Sequence, residues 1–275
     1  MQILDDLAAA ATRYETPCGE GTMVWHAWND GAGDPLVLLH GGNGSWRHWV
    51  KQIPLYARTR RVIAADLPGL GESADLPGEQ DPLNGARIVL PGLRDLLRGQ
   101  VADLVGFSFG SNVAGQLAAA MGGELRSLTL VGGAALGVPR NPTPLEKIRD
   151  KQGEARIAAH RFNLASLMIA DPAKIDDLAV VIQEWNTVHA RFRSRSFAGT
   201  PLLKLALAQT TLPLTLIWGE RDQVAVGNIH RRFSAAQEVR PDAVLEVIPK
   251  AGHWTAYEAP EELNAALDRA LRRAG

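Results

Sequence analysis

One pentapeptide limits what this chain can fold into more than any other: Gly106-Phe107-Ser108-Phe109-Gly110. A short apolar run, Val101 to Val105, precedes it, and an alanine-rich run of helical character, Ser111 to Ala120, follows it. Strand, sharp turn and helix are the context that G-x-S-x-G requires. A serine at the apex of such a turn is forced into a strained backbone conformation, and side chains two residues to either side would collide. Gly106 and Gly110 remove them. With 27 glycines the string alone arises easily by chance, so its meaning depends on partners elsewhere in the chain.

The rest of the sequence reads as α/β. Leu36–His40, Arg61–Asp66, Arg126–Gly132, Leu214–Trp218 and Val244–Ile248 read as strands, the first being a continuous apolar run of strand length and the second the next buried strand. Such runs mark strands buried on both faces. Thr22–Trp28 reads as an edge strand and Trp46–Ala57 as a helix. Leu83–Leu97 reads as a helix kinked or split by Pro91, followed later by helices near Ile229–Val239 and over Pro260–Arg273. Buried strands alternating with helices predict a mostly parallel central sheet with helices on both faces. The alternation stops between Pro139 and about Ala206, where only helical patterns occur. The expected organisation is therefore a core of 1–138 and 207–275, with 139–206 inserted as a helical cap above the carboxyl edge of the sheet.

A serine hydroxyl needs a base to become a nucleophile at neutral pH, and histidine suits that task. Of seven histidines, His253 in Gly252-His253-Trp254 follows the last strand and is the expected base; His40 ends a strand beside two glycines and reads as loop support. The imidazole needs a carboxylate to fix its tautomer. Asp222, in Trp218-Gly219-Glu220-Arg221-Asp222, is preferred over Glu220 because it lies further into the loop and can turn back. The order Ser108, Asp222, His253 is the one expected on such a sheet. The backbone N–H groups of Phe109 and of Gly42, in His40-Gly41-Gly42, are the candidate oxyanion donors. Asn43, Trp46, Phe107 and Trp254 are the expected pocket walls, largely apolar and suited to an uncharged ester.

These pieces, with Asp66-Leu67-Pro68-Gly69-Leu70-Gly71-Glu72-Ser73, resemble the α/β-hydrolase superfamily with a helical cap, from about residue 22 to the C-terminus. The resemblance implies hydrolysis through an acyl- or similar serine intermediate; Ser108 excludes the members that carry aspartate at the elbow. Gly252-His253-Trp254 and the capped layout are similar to the meta-cleavage-product hydrolases, which cut carbon–carbon bonds. Those enzymes place asparagine before the nucleophile, where this chain has Phe107, and hold a substrate carboxylate with a cap arginine. Arg191, Arg193 and Arg195 lie in that part of the chain and read mostly as a solvated basic face. The leading expectation is a carboxylic-ester hydrolase. The alternatives are a C–C bond hydrolase of a vinylogous diketone and, from another class, a ligand receptor on the same fold; a cofactor-free oxygenase is a lesser one.

A formal net charge of −1 gives no electrostatic reason to expect nucleic acid or a membrane surface as partner, so a small-molecule substrate is expected, with the choice of monomer or homodimer open. No metal-ligand spacing and no phosphate or dinucleotide glycine loop occurs, so no metal or cofactor is expected. Cys18 is alone, and Met1-Gln2-Ile3-Leu4-Asp5-Asp6 lacks the basic start of a signal peptide; a cytoplasmic location is expected.

Overall fold

The computed structural model describes residues 2–274, apart from the side chains of residues 194 and 195. Helix α1 (Gln2–Ala10) leads into a hairpin of β1 (Thr12–Cys18) and β2 (Gly21–Trp28), then β3 (Pro35–Leu39), α2 (Ile53–Tyr56), β4 (Arg61–Ala65) and α3 (Pro82–Leu97). Strand β5 (Ala102–Phe107), α4 (Phe109–Met121) and β6 (Leu125–Val131) follow, then α5 (Gly153–Asn163), α6 (Asp177–Val188) and α7 (Leu202–Leu207). The chain closes with β7 (Leu214–Gly219), α8 (Ile229–Gln237), β8 (Val244–Ile248), α9 (Thr255–Glu258) and α10 (Pro260–Arg272).

The strands form one eight-stranded sheet in the order β1-β2-β4-β3-β5-β6-β7-β8. The β1–β2 and β2–β4 pairs are antiparallel, and the other five pairs are parallel. Alternation along each strand explains why the central ones are apolar throughout. Val37 and Leu39 join one core with Leu93 of α3 and Val113 and Leu117 of α4. Leu36 and Leu38 join the opposite core with Leu263 and Leu267 of α10. Leu39 pairs with Gly106, and Gly219 with Ile248, which brings the carboxyl ends of the strands to one edge.

Four expectations need correction. The strand over 22–28 is not the edge, because β1 pairs along its outer side from Thr12↔Ala27 to Cys18↔Gly21. The segment 46–57 is not one helix: a 3₁₀ turn at Trp46–Trp49 stops, and α2 starts afresh with Pro54 in its first turn, where a missing N–H costs nothing. Pro91 does not split α3, since Pro91 faces solvent and the carbonyl it frees can reach water. Helix α7 straddles the expected boundary at 206, and it packs against α4 of the core: Gly115 lies so close to Leu203 that a Cβ there would stand 2.4 Å from Leu203 Cδ1.

Among the described residues, no strand lies between β6 and β7. This stretch holds α5, a π-helical turn at Leu164–Met168, and α6. It is fastened to the loop after β4, where the Arg191 and Phe192 N–H groups both donate to Gly69 O at 2.9 and 3.0 Å. Among the described residues, no helix is long and apolar enough to cross a membrane.

Candidate active site

The turn after β5 carries the strain that its sequence implies. Ser108 has φ +50° and ψ −111°, a backbone region that residues other than glycine rarely occupy. The flanking glycines are sterically required. A Cβ on Gly106 would come within 2.5 Å of Gly110 O, and one on Gly110 within 2.5 Å of His40 O and 2.6 Å of Leu39 O. The serine is thus lifted at the N-terminus of α4, close against the end of β3.

The Ser108 hydroxyl lies 2.9 Å from His253 Nε2, and His253 Nδ1 lies 2.7 Å from Asp222 Oδ2. With Nδ1–H donating to the carboxylate, Nε2 is the acceptor for the serine proton. Asp222 is 1% exposed, and its second oxygen accepts the Val224 N–H at 2.8 Å, which fixes the carboxylate plane. Glu220, the rival acid, instead accepts the Lys250 N–H at 2.8 Å on the exposed side of the loop. The acid and base loops touch through glycine: a Cβ on Gly219 would stand 2.2 Å from Gly252 O. Gly132, with φ +60°, leaves room for the imidazole edge, since its Cβ would lie 3.0 Å from His253 Cε1.

The loop after β3 approaches from the other side. Gly41 packs on the nucleophile, where a Cβ would meet the Phe107 ring at 2.9 Å and Ser108 Cβ at 3.2 Å. Two buried imidazoles hold this loop. His40 Nδ1–H donates to Gly41 O at 2.7 Å while Nε2 accepts the Leu67 N–H at 2.9 Å. His48 Nδ1 accepts the Gly41 N–H at 3.3 Å. Burial pushes the His40 pKa down to about 4 and that of His48 well below the usual histidine value, so both stay neutral as these bonds require. The buried Asp66 carboxylate accepts the Trp46 N–H at 2.8 Å and the Glu72 N–H at 2.9 Å; burial raises its pKa to about 6 against the pull of those bonds. The N–H groups of Gly42 and Phe109 donate to no protein acceptor among the described residues.

A cavity of about 640 Å³ opens over Ser108 and His253, floored by Gly41, Gly42 and Phe107 and roofed by residues of 140–198. Asn43, Phe107 and Phe109 line it, but the other two expected wall residues do not. Trp46 is fully buried beneath the loop, packed against His26 and Trp28 at ring separations of 5.5 and 5.4 Å. Trp254 is equally buried and its indole N–H donates to His48 O at 2.9 Å, so it braces the base loop against the segment after β3. The expected apolar lining also needs correction. Arg140, Lys147, Arg149 and Arg156 line the roof. Arg156 is neutralised by Glu184 at 2.8 Å, and Glu146 by Lys151 at 2.7 Å; Arg140, Lys147 and Arg149 have no carboxylate partner among the described residues.

The arginines singled out from the sequence are elsewhere. Arg191 pairs with Asp75 and Ser73 O, away from the cavity, and Arg193 does not line it. The side chain of Arg195 lies outside the described residues. Two features escaped sequence reasoning. Glu258 is a buried carboxylate that accepts three backbone N–H groups, from Gly252, Ala170 and Asp171, at 2.6, 3.0 and 2.7 Å. Asn112 lines the cavity one helical turn beyond the serine; the i+4 spacing on α4 was the available signal. Among the described residues no group of three or more His, Cys, Asp or Glu could hold a metal ion.

A sequence model of the alpha/beta hydrolase family matches residues 36–266. The chain is 30% identical, over 98% of its length and 71% of the relative's, to the dihydrolipoyllysine-residue acetyltransferase component of the acetoin cleaving system of Pseudomonas putida. It is 28% identical, over 94% of its length and 95% of the relative's, to a 2-hydroxy-6-oxononadienedioate/2-hydroxy-6-oxononatrienedioate hydrolase of Paraburkholderia phymatum. Among solved structures it superposes on an esterase from Rhodococcus sp. with a TM-score of 0.76 at 19% identity, covering 97% of this chain and 100% of that one. A meta-cleavage product hydrolase from Pseudomonas fluorescens gives a TM-score of 0.73 at 22% identity, covering 95% and 98%. At these identities the structures speak for the fold alone.

Proposed function

The chain belongs to the α/β-hydrolase family and is a hydrolase, and from that premise we propose that it works as a serine hydrolase through an acyl-enzyme on Ser108. The observation that carries this reading is the continuous hydrogen-bonded line from the Ser108 hydroxyl through His253 to Asp222, at 2.9 and 2.7 Å. Ser108 Oγ attacks the substrate carbonyl while His253 Nε2 takes its proton. Asp222 holds the imidazole in the correct tautomer and stabilises the imidazolium. The free N–H groups of Gly42 and Phe109 receive the negative oxygen of the tetrahedral intermediate, each worth about 3–4 kcal/mol of barrier. His253 then protonates the leaving group, and a water activated by the same imidazole releases the acid.

The primary reading is a carboxylic ester of a small substrate. Residues 139–201, which end before α7, serve as the cap that closes the cavity. Replacing Ser108 by Ala is expected to abolish turnover of a p-nitrophenyl ester while leaving circular dichroism unchanged; turnover near the unmodified level contradicts the proposal.

A second reading, hydrolysis of a carbon–carbon bond in a carboxylate-bearing vinylogous diketone, is favoured by one feature. The unpaired Arg140, Lys147 and Arg149 make the roof electropositive, which suits an anionic substrate. The curated relative from Paraburkholderia phymatum, a hydrolase whose name specifies dioate substrates, points the same way.

A further inference from the structure

Asn112 is 2% exposed, yet its side-chain Oδ1 has no hydrogen-bond partner among the described residues. A buried amide oxygen left without a donor costs about 1–3 kcal/mol, so such an atom calls for an explanation. The residue lines the same cavity as Ser108, and it sits four residues beyond Ser108, about 6 Å along the axis of α4.

We infer that Asn112 is a specificity-determining residue that reads a hydroxyl group on the acyl part of the substrate. The inference rests on the serine-hydrolase reading for its orientation. His253 has to stand at the leaving group to protonate it, and the Phe109 N–H at the carbonyl oxygen. Asn112, one turn beyond Phe109, therefore faces the acyl portion. The partner is a neutral donor, because Arg140, Lys147 and Arg149 line the same cavity and repel an ammonium. A hydroxyl also satisfies the amide in either orientation, since it both donates and accepts. The 6 Å offset places that hydroxyl on the second or third carbon of the acyl chain. A polar site of this kind discriminates strongly, because the analogue lacking the hydroxyl leaves the amide unpaired in the complex.

The test is calorimetric titration of the protein with 3-hydroxybutanoate and with butanoate, run in parallel with hydrolysis of their phenyl esters. The hydroxy acid is expected to bind at least about tenfold more tightly, and its ester to be preferred by about a hundredfold or more in kcat/KM. In Asn112→Leu both ratios are expected to fall to about one; Asn112→Ala serves the same purpose if the leucine variant does not fold. Equal affinities for the two acids, binding of neither, or a preference that survives in the variant overturns the inference. A binding preference that depends on Asn112, with no hydrolysis of either ester, supports the inference and contradicts the serine-hydrolase reading instead.

Discussion

Glu258 Oε2 accepts the N–H of Gly252 at 2.6 Å and that of Ala170 at 3.0 Å, so one buried carboxylate joins the residue before His253 to the segment roofing the cavity. The Trp254 N–H donates to Met168 O at 2.7 Å on the other side of the same histidine. The proposed base is therefore held from both flanks by the end of the π-helical turn at 164–168, whose Leu167 and Met168 line the cavity.

Glu258→Gln presents one acceptor where three N–H groups converge, and turns an NH₂ toward at least one of them. The expected loss of stability is about 1–3 kcal/mol. With the base less firmly placed, kcat is expected to fall about tenfold or more with a smaller change in KM. Denaturant melts and steady-state kinetics on one preparation check both.

Gly110→Ala sets a methyl group against two backbone oxygens, His40 O and Leu39 O, that cannot swing aside as a side chain would. Relief requires moving the end of β3 and with it the Gly41-Gly42 loop. The expected cost is about 1–3 kcal/mol in urea unfolding, accompanied by lost activity.

Burial lowers the His26 and His40 pKa to about 4 and that of His48 well below the ordinary value of 6.5. Between pH 6.5 and 4 the unfolded chain takes up protons that the folded one refuses, so stability is present above that window and lost as pH falls through it. Asp66, raised to about 6, works in the opposite sense: its contribution is present at low pH and lost as pH rises toward 6. Three histidines outweigh one carboxyl, and the net slope is loss with acid. His26→Phe removes one of the three, and the slope is expected to shrink by up to about 1.4 kcal/mol per pH unit, read from denaturant melts across the window.

Arg140→Met removes one unpaired cation from the cavity roof. The ratio of turnover for a phenyl ester bearing a free carboxylate to that for an uncharged one is expected to fall about tenfold, and less at high salt. An unchanged ratio argues against an anionic substrate and for the uncharged ester.

What could be read from the sequence depended on whether the backbone or a side chain carried the information. Ser108, Asp222 and His253 follow β5, β7 and β8, and the strand-end position alone is enough to bring them to one edge. Gly106 and Gly110 announce the bend because only backbone fits beside them. Strand β1 was hidden by Arg13, Glu15 and Pro17, which suit a half-exposed edge and break any apolar run. Trp46 and Trp254 were misassigned because neighbours along the chain do not tell which way a large ring turns; both turned inward, one onto His26 and Trp28, the other to His48 O. The basic roof was missed because Arg140, Lys147 and Arg149 lie in an irregular stretch with no period to place them on a face.

The most direct measurement of the central claim is labelling with a fluorophosphonate, which reports an activated serine whatever the natural substrate. One adduct per chain is predicted, on the peptide containing Gly106-Phe107-Ser108-Phe109-Gly110, with activity lost in proportion to labelling and no adduct in Ser108→Ala. An adduct on another serine, or full labelling of Ser108 that leaves turnover intact, contradicts the account.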